Sequence, residues 1–266
     1  MIAAVDAGSG DPMLTEDQIR FFRENGYLCV GRVLDDAELD VLRRHVEWIA
    51  SGEAAHIPAG RLQVEPRVTQ GERTAENYEL SLRKMYHLAW HDPMMLEHAR
   101  RPSVVTRVQQ LLGPDLKLYQ DQLFMKPPQI GSRQTYHQDQ PLGFWIAPPD
   151  RMITCWTALD PSTRENGCLW VIPGSHRGGA LSREEMQECE SRALAGELET
   201  QVPLELQPGE ASFHHGHLLH CSGENRSGHR RRGYATHYVS GLCRYTGPEP
   251  KEEFPLIAGR DYPEAL

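Results

Sequence analysis

Apolar residues recur at three- to four-residue spacing through the first third of the chain. Beyond it they gather into short, dense runs separated by Gly, Pro and polar pairs. Thr15-Glu16-Asp17-Gln18 has the form of a capping box, a hydroxyl N-cap with Gln three residues on. Ile19 and Phe22 follow at helical spacing, and Gly26 is a good residue to end the helix. The pattern predicts a strand over 27–30, then a helix over 36–49 with Leu39, Leu42, Val46 and Ile49 on one stripe. Residues 51–80 are polar and irregular, and read as a loop or lid. Helical spacing returns over 93–112 and closes at Gly113-Pro114.

From Leu116 the character changes to strands. They are predicted over 116–125, ended by Pro127-Pro128, and over 152–159, apolar on both faces as a fully buried strand is. Others fall at 169–172, 202–206, 211–214, 218–221 and 233–239. Short strands at short intervals argue for a double sheet or jelly roll. One helix interrupts them, opened by the capping box Ser182-x-x-Glu185 and running toward Leu194. The organisation expected is one mainly β domain over 1–266. Its helical N-terminal part spans about 14–113, its jelly-roll core about 116–240 and its tail 241–266.

Composition narrows function more than fold. Acidic residues outnumber basic ones, 37 to 28, for a net charge of −9. A nucleic-acid binder carries a basic surplus or stripe, and here only Arg230-Arg231-Arg232 is locally basic. No apolar run reaches the roughly 18 residues of a membrane helix. Met1 to Pro12 has neither the basic start nor the apolar middle of a secretion signal. Six cysteines lie far apart with no C-x-x-C pair, and read as reduced thiols in a cytoplasmic protein. No glycine-rich phosphate cradle is present.

Thirteen histidines are many for the length, and their placement carries the chemistry. His137-Gln138-Asp139 puts an imidazole and a carboxylate two apart, which on a strand is one face. A third ligand has four candidates, His214, His215, His217 and His220. Two His and one carboxylate with open positions is the facial triad of non-haem Fe(II) oxygenases. A zinc site or a polar histidine-rich loop is the alternative, although zinc spacings such as H-E-x-x-H are missing. Arg231, eleven residues after His220, favours iron, because a chelating co-substrate with a far carboxylate needs a permanent, bidentate cation.

The ordered set Lys126-Pro127-Pro128, His137-Gln138-Asp139, Trp156-Thr157-Ala158-Leu159, Glu165-Asn166-Gly167-Cys168-Leu169, Pro173-Gly174-Ser175-His176 and His220-Cys221-Ser222-Gly223-Glu224-Asn225-Arg226-Ser227, with Arg231, resembles the phytanoyl-CoA dioxygenase family of Fe(II)/2-oxoglutarate oxygenases. The likeness runs from Leu14 to about Val239, with Cys221 standing where the family usually has Gly. It implies a double-stranded β-helix core, a jelly-roll relative of the cupins. By this resemblance His137, Asp139 and His220 bind iron. Arg231 holds the distal carboxylate of 2-oxoglutarate with Ser222 beside it, and Lys84, Gln122 and Trp156 meet the co-substrate. His215 and His217 are structural, with His217 no iron ligand, while Arg230 and Arg232 are a solvated basic turn. Phe144, Trp145 and Ile146 form an apolar patch facing a small organic substrate. The reaction implied consumes O2 and releases succinate and CO2. The carboxylate of Asp139 favours hydroxylation over halogenation, which needs a small residue there. The competing expectations are a non-catalytic cupin-like binding or sensor domain and a zinc hydrolase.

Overall fold

Helix α1 (Glu16–Asn25) is closed by Gly26 and leads directly into β1 (Tyr27–Arg32). Thr15 and Gln18 close the expected capping box. In the computed structural model, residues 13–148, 150–198, 200–247, 253–262 and 264–265 are described, so the reading of Met1 to Pro12 lies outside them. Helix α2 (Asp36–Ala50) buries the predicted stripe and starts at a second capping box, Asp35 with Glu38.

The stretch read as a loop contains β2 (Leu62–Val64) and the single-turn α3 (Pro66–Thr69). It leads to β3 (Leu82–Tyr86), which pairs with β2. A three-residue strand is too short to show a period, so only its partner reveals it. The helix expected over 93–112 is two, α4 (Pro93–Ala99) and α5 (Pro102–Leu112). Pro102 disfavours helical backbone in the residue before it, and Arg101 is extended (φ −56°, ψ 126°).

The remaining elements are β4 (Leu116–Phe124), β5 (Gln134–His137), β6 (Ile146–Ala147), β7 (Met152–Ala158) and β8 (Leu169–Val171). Then come α6 (Arg183–Leu194), β9 (Val202–Leu204), β10 (Glu210–His215), β11 (His220–Ser222), β12 (Gly233–Ser240), β13 (Arg244–Tyr245) and β14 (Leu256–Ala258).

The strands form a major sheet in the order β1-β10-β7-β12-β4-β3-β2, with β14 also on β4, and a minor sheet in the order β5-β11-β8-β9. The β6–β13 pair stands apart. Every pairing is antiparallel. This is the double-stranded jelly-roll architecture. Alternation along β7, β10 and β12 divides the packing. Ile153, Cys155, Phe213, Tyr234 and Tyr238 face α2, α4 and α5 and build the largest apolar cluster. Trp156, Ala158 and Ala235 face the minor sheet and meet Leu169, Val171 and Leu218. A cavity of about 320 Å³ opens between the sheets beside this second cluster. All six cysteines are free.

Candidate active site

His137 and His220 are direct cross-strand partners on β5 and β11, with ring centroids 4.2 Å apart. Each ring is aimed by its own backbone. His137 Nδ1 lies 2.9 Å from the Thr135 carbonyl, and His220 Nδ1 lies 2.9 Å from the Leu218 carbonyl. A carbonyl only accepts, so each Nδ1 carries the proton and each Nε2 keeps its lone pair for the cavity. Burial pulls both imidazoles down to about 4, helped at His137 by His220 and at His220 by His214, and opposed at both by Asp139. Both are therefore neutral near pH 7, the form a metal binds.

Asp139 does not continue β5 as expected. It sits in the bend just past the strand's end. Gln138 anchors that bend, donating to the carbonyls of Gly179 (2.9 Å) and His217 (2.6 Å) and accepting from the Leu181 N–H (2.7 Å). Asp139 Oδ1 lies 4.0 Å from His137 Nε2 and 3.7 Å from His220 Nε2. Its Oδ2 turns the other way, to Thr154 Oγ1 at 2.6 Å and His214 Nε2 at 3.0 Å. Burial alone would raise this carboxyl, but His237, His220 and the His214 hydrogen bond outweigh it and hold it well below the usual range.

One donor atom from each of His137, Asp139 and His220 lies within 4.8 Å of the other two, and among the described residues no other such group of three or more occurs. Neutral imidazoles with fixed tautomers and an ionised carboxylate fit a divalent transition metal with open positions. His217 is outside the group. Its backbone N–H bonds to His215 Nδ1 and its ring packs on that residue's ring.

Arg231 lines the same cavity and is 1% exposed. Its guanidinium lies over the Trp156 ring at 5.2 Å, and Nη2 donates to the Gly167 carbonyl at 2.6 Å. Its Nε has no hydrogen-bond partner, and no carboxylate among the described residues forms an ion pair with it. Burial pulls its pKa down to about 10, which still leaves it charged at neutral pH. Two glycines make the arrangement possible. Gly167 has φ +86°, and a Cβ there would strike the Gly223 backbone. A Cβ on Gly233 would occupy the Trp156 indole. The Lys126 carbonyl accepts from both the Asn225 amide (2.8 Å) and the Arg231 N–H (3.1 Å), which gives the Lys-Pro-Pro and Glu-Asn-Arg motifs a shared structural purpose.

Lys84, Gln122, Trp156 and Ser222 also line the cavity, so all eight residues given an iron or co-substrate role from the sequence meet there. Lys84 Nζ donates to Gln122 Oε1 at 3.0 Å, and burial lowers its pKa.

Two further expectations fail. Arg232 is not solvated. It is 2% exposed and forks onto Asp160, with Nε and Nη2 each at 2.9 Å and its backbone N–H at 2.8 Å. Its Nη1 reaches Glu47 at 3.0 Å, and Arg230 pairs with Glu47 and Glu79. A buried guanidinium needs a carboxylate, and Asp160, distant in sequence, supplies it. The apolar patch also divides. Phe144 lines the cavity, Trp145 is exposed beside Tyr245, and Ile146 is buried behind the lining residue Met152 without lining the cavity itself.

Thr154 and His237 are cavity residues that the sequence reading did not single out, Gln138 was read only as part of the His-Gln-Asp motif, and His214, one of the four candidate ligands, partners Asp139 instead. Parity could have found Thr154, two residues from Trp156 on one strand and so on the same face.

The chain matches the family model for phytanoyl-CoA dioxygenase (PhyH) over residues 22–233. It is 31% identical over 259 residues to a probable phytanoyl-CoA dioxygenase of Caenorhabditis elegans, covering 92% of this chain and 82% of that one. It is 30% identical over 244 residues to the peroxisomal phytanoyl-CoA dioxygenase of Homo sapiens, covering 88% and 70%. In fold it is similar to EctD from S. alaskensis, solved with 2-oxoglutarate and 5-hydroxyectoine. There the TM-score is 0.72 at 22% identity, covering 100% of this chain and 90% of that one. With the sequence match spanning most of its length and the jelly roll around a His-Asp-His group, the chain belongs to the phytanoyl-CoA dioxygenase family of Fe(II)/2-oxoglutarate-dependent oxygenases.

Proposed function

We propose that the cavity hydroxylates a C–H bond of a small organic substrate, coupled to conversion of 2-oxoglutarate and O2 into succinate and CO2. His137, Asp139 and His220 would hold the iron, each offering one donor atom. When bound, the iron supplies the activation of O2 that no side chain can perform. Arg231 takes the distal carboxylate of 2-oxoglutarate, with Ser222 beside it. Lys84, Gln122 and Trp156 border the same co-substrate. Trp156 also walls water away from the guanidinium, which strengthens the charge pair.

The observation that carries this reading is the buried, carboxylate-free Arg231 in the same cavity as the His-Asp-His group. Leaving a cation fully buried without an anion is costly, and a dicarboxylate spanning from the metal to the arginine removes that cost. The neutral imidazoles and the clamped carboxylate support a chelating metal site over a passive sensor pocket. Asp139 fills the third ligand position, which favours hydroxylation over halogenation. The free cysteines support a reducing compartment such as the cytoplasm. Among the described residues no helix is long and apolar enough to cross a membrane.

The test is succinate release from the purified protein with Fe(II), O2 and a panel of small C–H substrates, with and without 2-oxoglutarate. Release that requires Fe(II) and 2-oxoglutarate supports the reading. Activity that follows zinc and ignores 2-oxoglutarate refutes it.

A further inference from the structure

We propose that Thr154 and His214, on the major sheet, clamp Asp139 so that only its Oδ1 is offered to the metal, making them positioning residues for the reaction. This rests on the iron and 2-oxoglutarate reading above. Asp139 lies past the end of β5, where no ladder hydrogen bond fixes its backbone direction. A carboxylate left to turn can bind a metal through both oxygens and fill a position the chemistry needs open.

The major sheet prevents that. His214, Thr154 and His237 are aligned partners on the neighbouring strands β10, β7 and β12, so they form one polar row on the inner face. Thr154 Oγ1 donates to Asp139 Oδ2 at 2.6 Å, and His214 Nε2 lies 3.0 Å from the same oxygen. His214 Nδ1 is buried with no partner, so its proton belongs on Nε2, where an acceptor waits. His237 Nε2 stands 3.6 Å from that oxygen, beyond hydrogen-bond reach, and its Nδ1 is 3.2 Å from the Gln120 carbonyl. Both lone-pair directions of Oδ2 are therefore taken up by Thr154 and His214. Oδ1 alone faces the two Nε2 atoms of the triad. The row also ties the ligand-bearing minor sheet to the major sheet across the cavity.

Thr154→Val and His214→Leu remove the donors, whereas Thr154→Ser and His214→Gln keep them. Mn(II) is titrated into each protein and followed by the electron paramagnetic resonance signal of the free ion. Binding of 2-oxoglutarate to the Mn(II)-loaded proteins is followed by calorimetry, and melting of the metal-free proteins serves as a folding check. Partners of metal ligands are typically worth about 10–100-fold in affinity, so Val and Leu should weaken Mn(II) binding by that factor and weaken 2-oxoglutarate with it. Ser and Gln should stay within about threefold of wild type, well inside that range. The clamp is refuted if Val and Leu bind both ligands as wild type does, or if Ser and Gln lose as much as Val and Leu. A His137→Ala control separates the two readings. If it still binds Mn(II) as wild type does, the metal site itself is misplaced and the clamp falls with it.

Discussion

The two faces of the major sheet are made by the same strands, and along β7 and β12 both are buried, yet they obey different rules. On the outer face Ile153, Cys155, Phe213, Tyr234 and Tyr238 pack on the helices, and Tyr238 seals the contact by donating to the Ala99 carbonyl at 2.8 Å. On the inner face Thr154, Trp156, His214 and His237 line the cavity. All eight residues of β12 are buried, so burial by itself does not separate core from site. What separates them is how polar atoms are satisfied. The outer face is filled mainly by apolar volume, and its buried carboxylate Asp121 is closed within the fold by the N–H groups of Leu88 and Ala89. The inner face holds an ionised carboxylate and a guanidinium whose directions matter to within one hydrogen bond.

The largest effects should follow from the cavity ligands. His137→Ala, Asp139→Ala or His220→Ala should drop 2-oxoglutarate-dependent succinate release to background, while the metal-free protein melts within a few degrees of wild type. Near-native turnover in Asp139→Ala would break the contrast at its strongest point.

Next is Arg231. Leaving a buried carboxylate without its charge partner costs about 3–5 kcal/mol. At about 1.4 kcal/mol per decade, Arg231→Ala should raise the apparent constant for 2-oxoglutarate by at least ~100-fold with metal affinity unchanged. Arg231→Lys should restore only part of this, because an ammonium lacks the planar fork. Titration of 2-oxoglutarate against the metal-loaded variants decides it.

Stability losses without loss of chemistry should mark the structural side of the comparison. Phe213→Ala should cost about 3–5 kcal/mol of stability. Arg232→Ala strands the Asp160 carboxylate and should cost a similar 3–5 kcal/mol. Urea midpoints measure both, and the folded Phe213→Ala protein should keep its 2-oxoglutarate constant. A normal urea midpoint for Arg232→Ala would mean that the Asp160 fork contributes nothing net.

The smallest effect belongs to Arg230→Ala. Its pairs with Glu47 and Glu79 are partly exposed, so about 0–1 kcal/mol is expected. An effect as large as that of Arg232→Ala would show the three arginines act as one network.

Much of this was open to reading along the chain. Local hydrogen-bond rules placed the capping boxes at Thr15 and Ser182 and the stop at Gly26. Periodicity placed α2 and the long strands β4, β7 and β12. The motif order placed His137, Asp139, His220 and Arg231 in one cavity. The misses share a cause. Strand β2 is recognisable only from its partner β3. Arg232 reads as a surface cation until Asp160 and Glu47 are brought to it.

The sequence by itself therefore determined what depends on neighbours in the chain: turn chemistry, helix ends, strand parity and the residue types able to hold a metal and a dicarboxylate. The tertiary structure alone decided which oxygen of Asp139 faced the cavity, that Thr154 and His214 met the other, and which carboxylates reached Arg232. Those outcomes depend on the pairing of β5 with β11 and of β7 with β10 and β12. Strand pairing is set by the burial of whole sheet faces, a long-range balance that no local pattern carries.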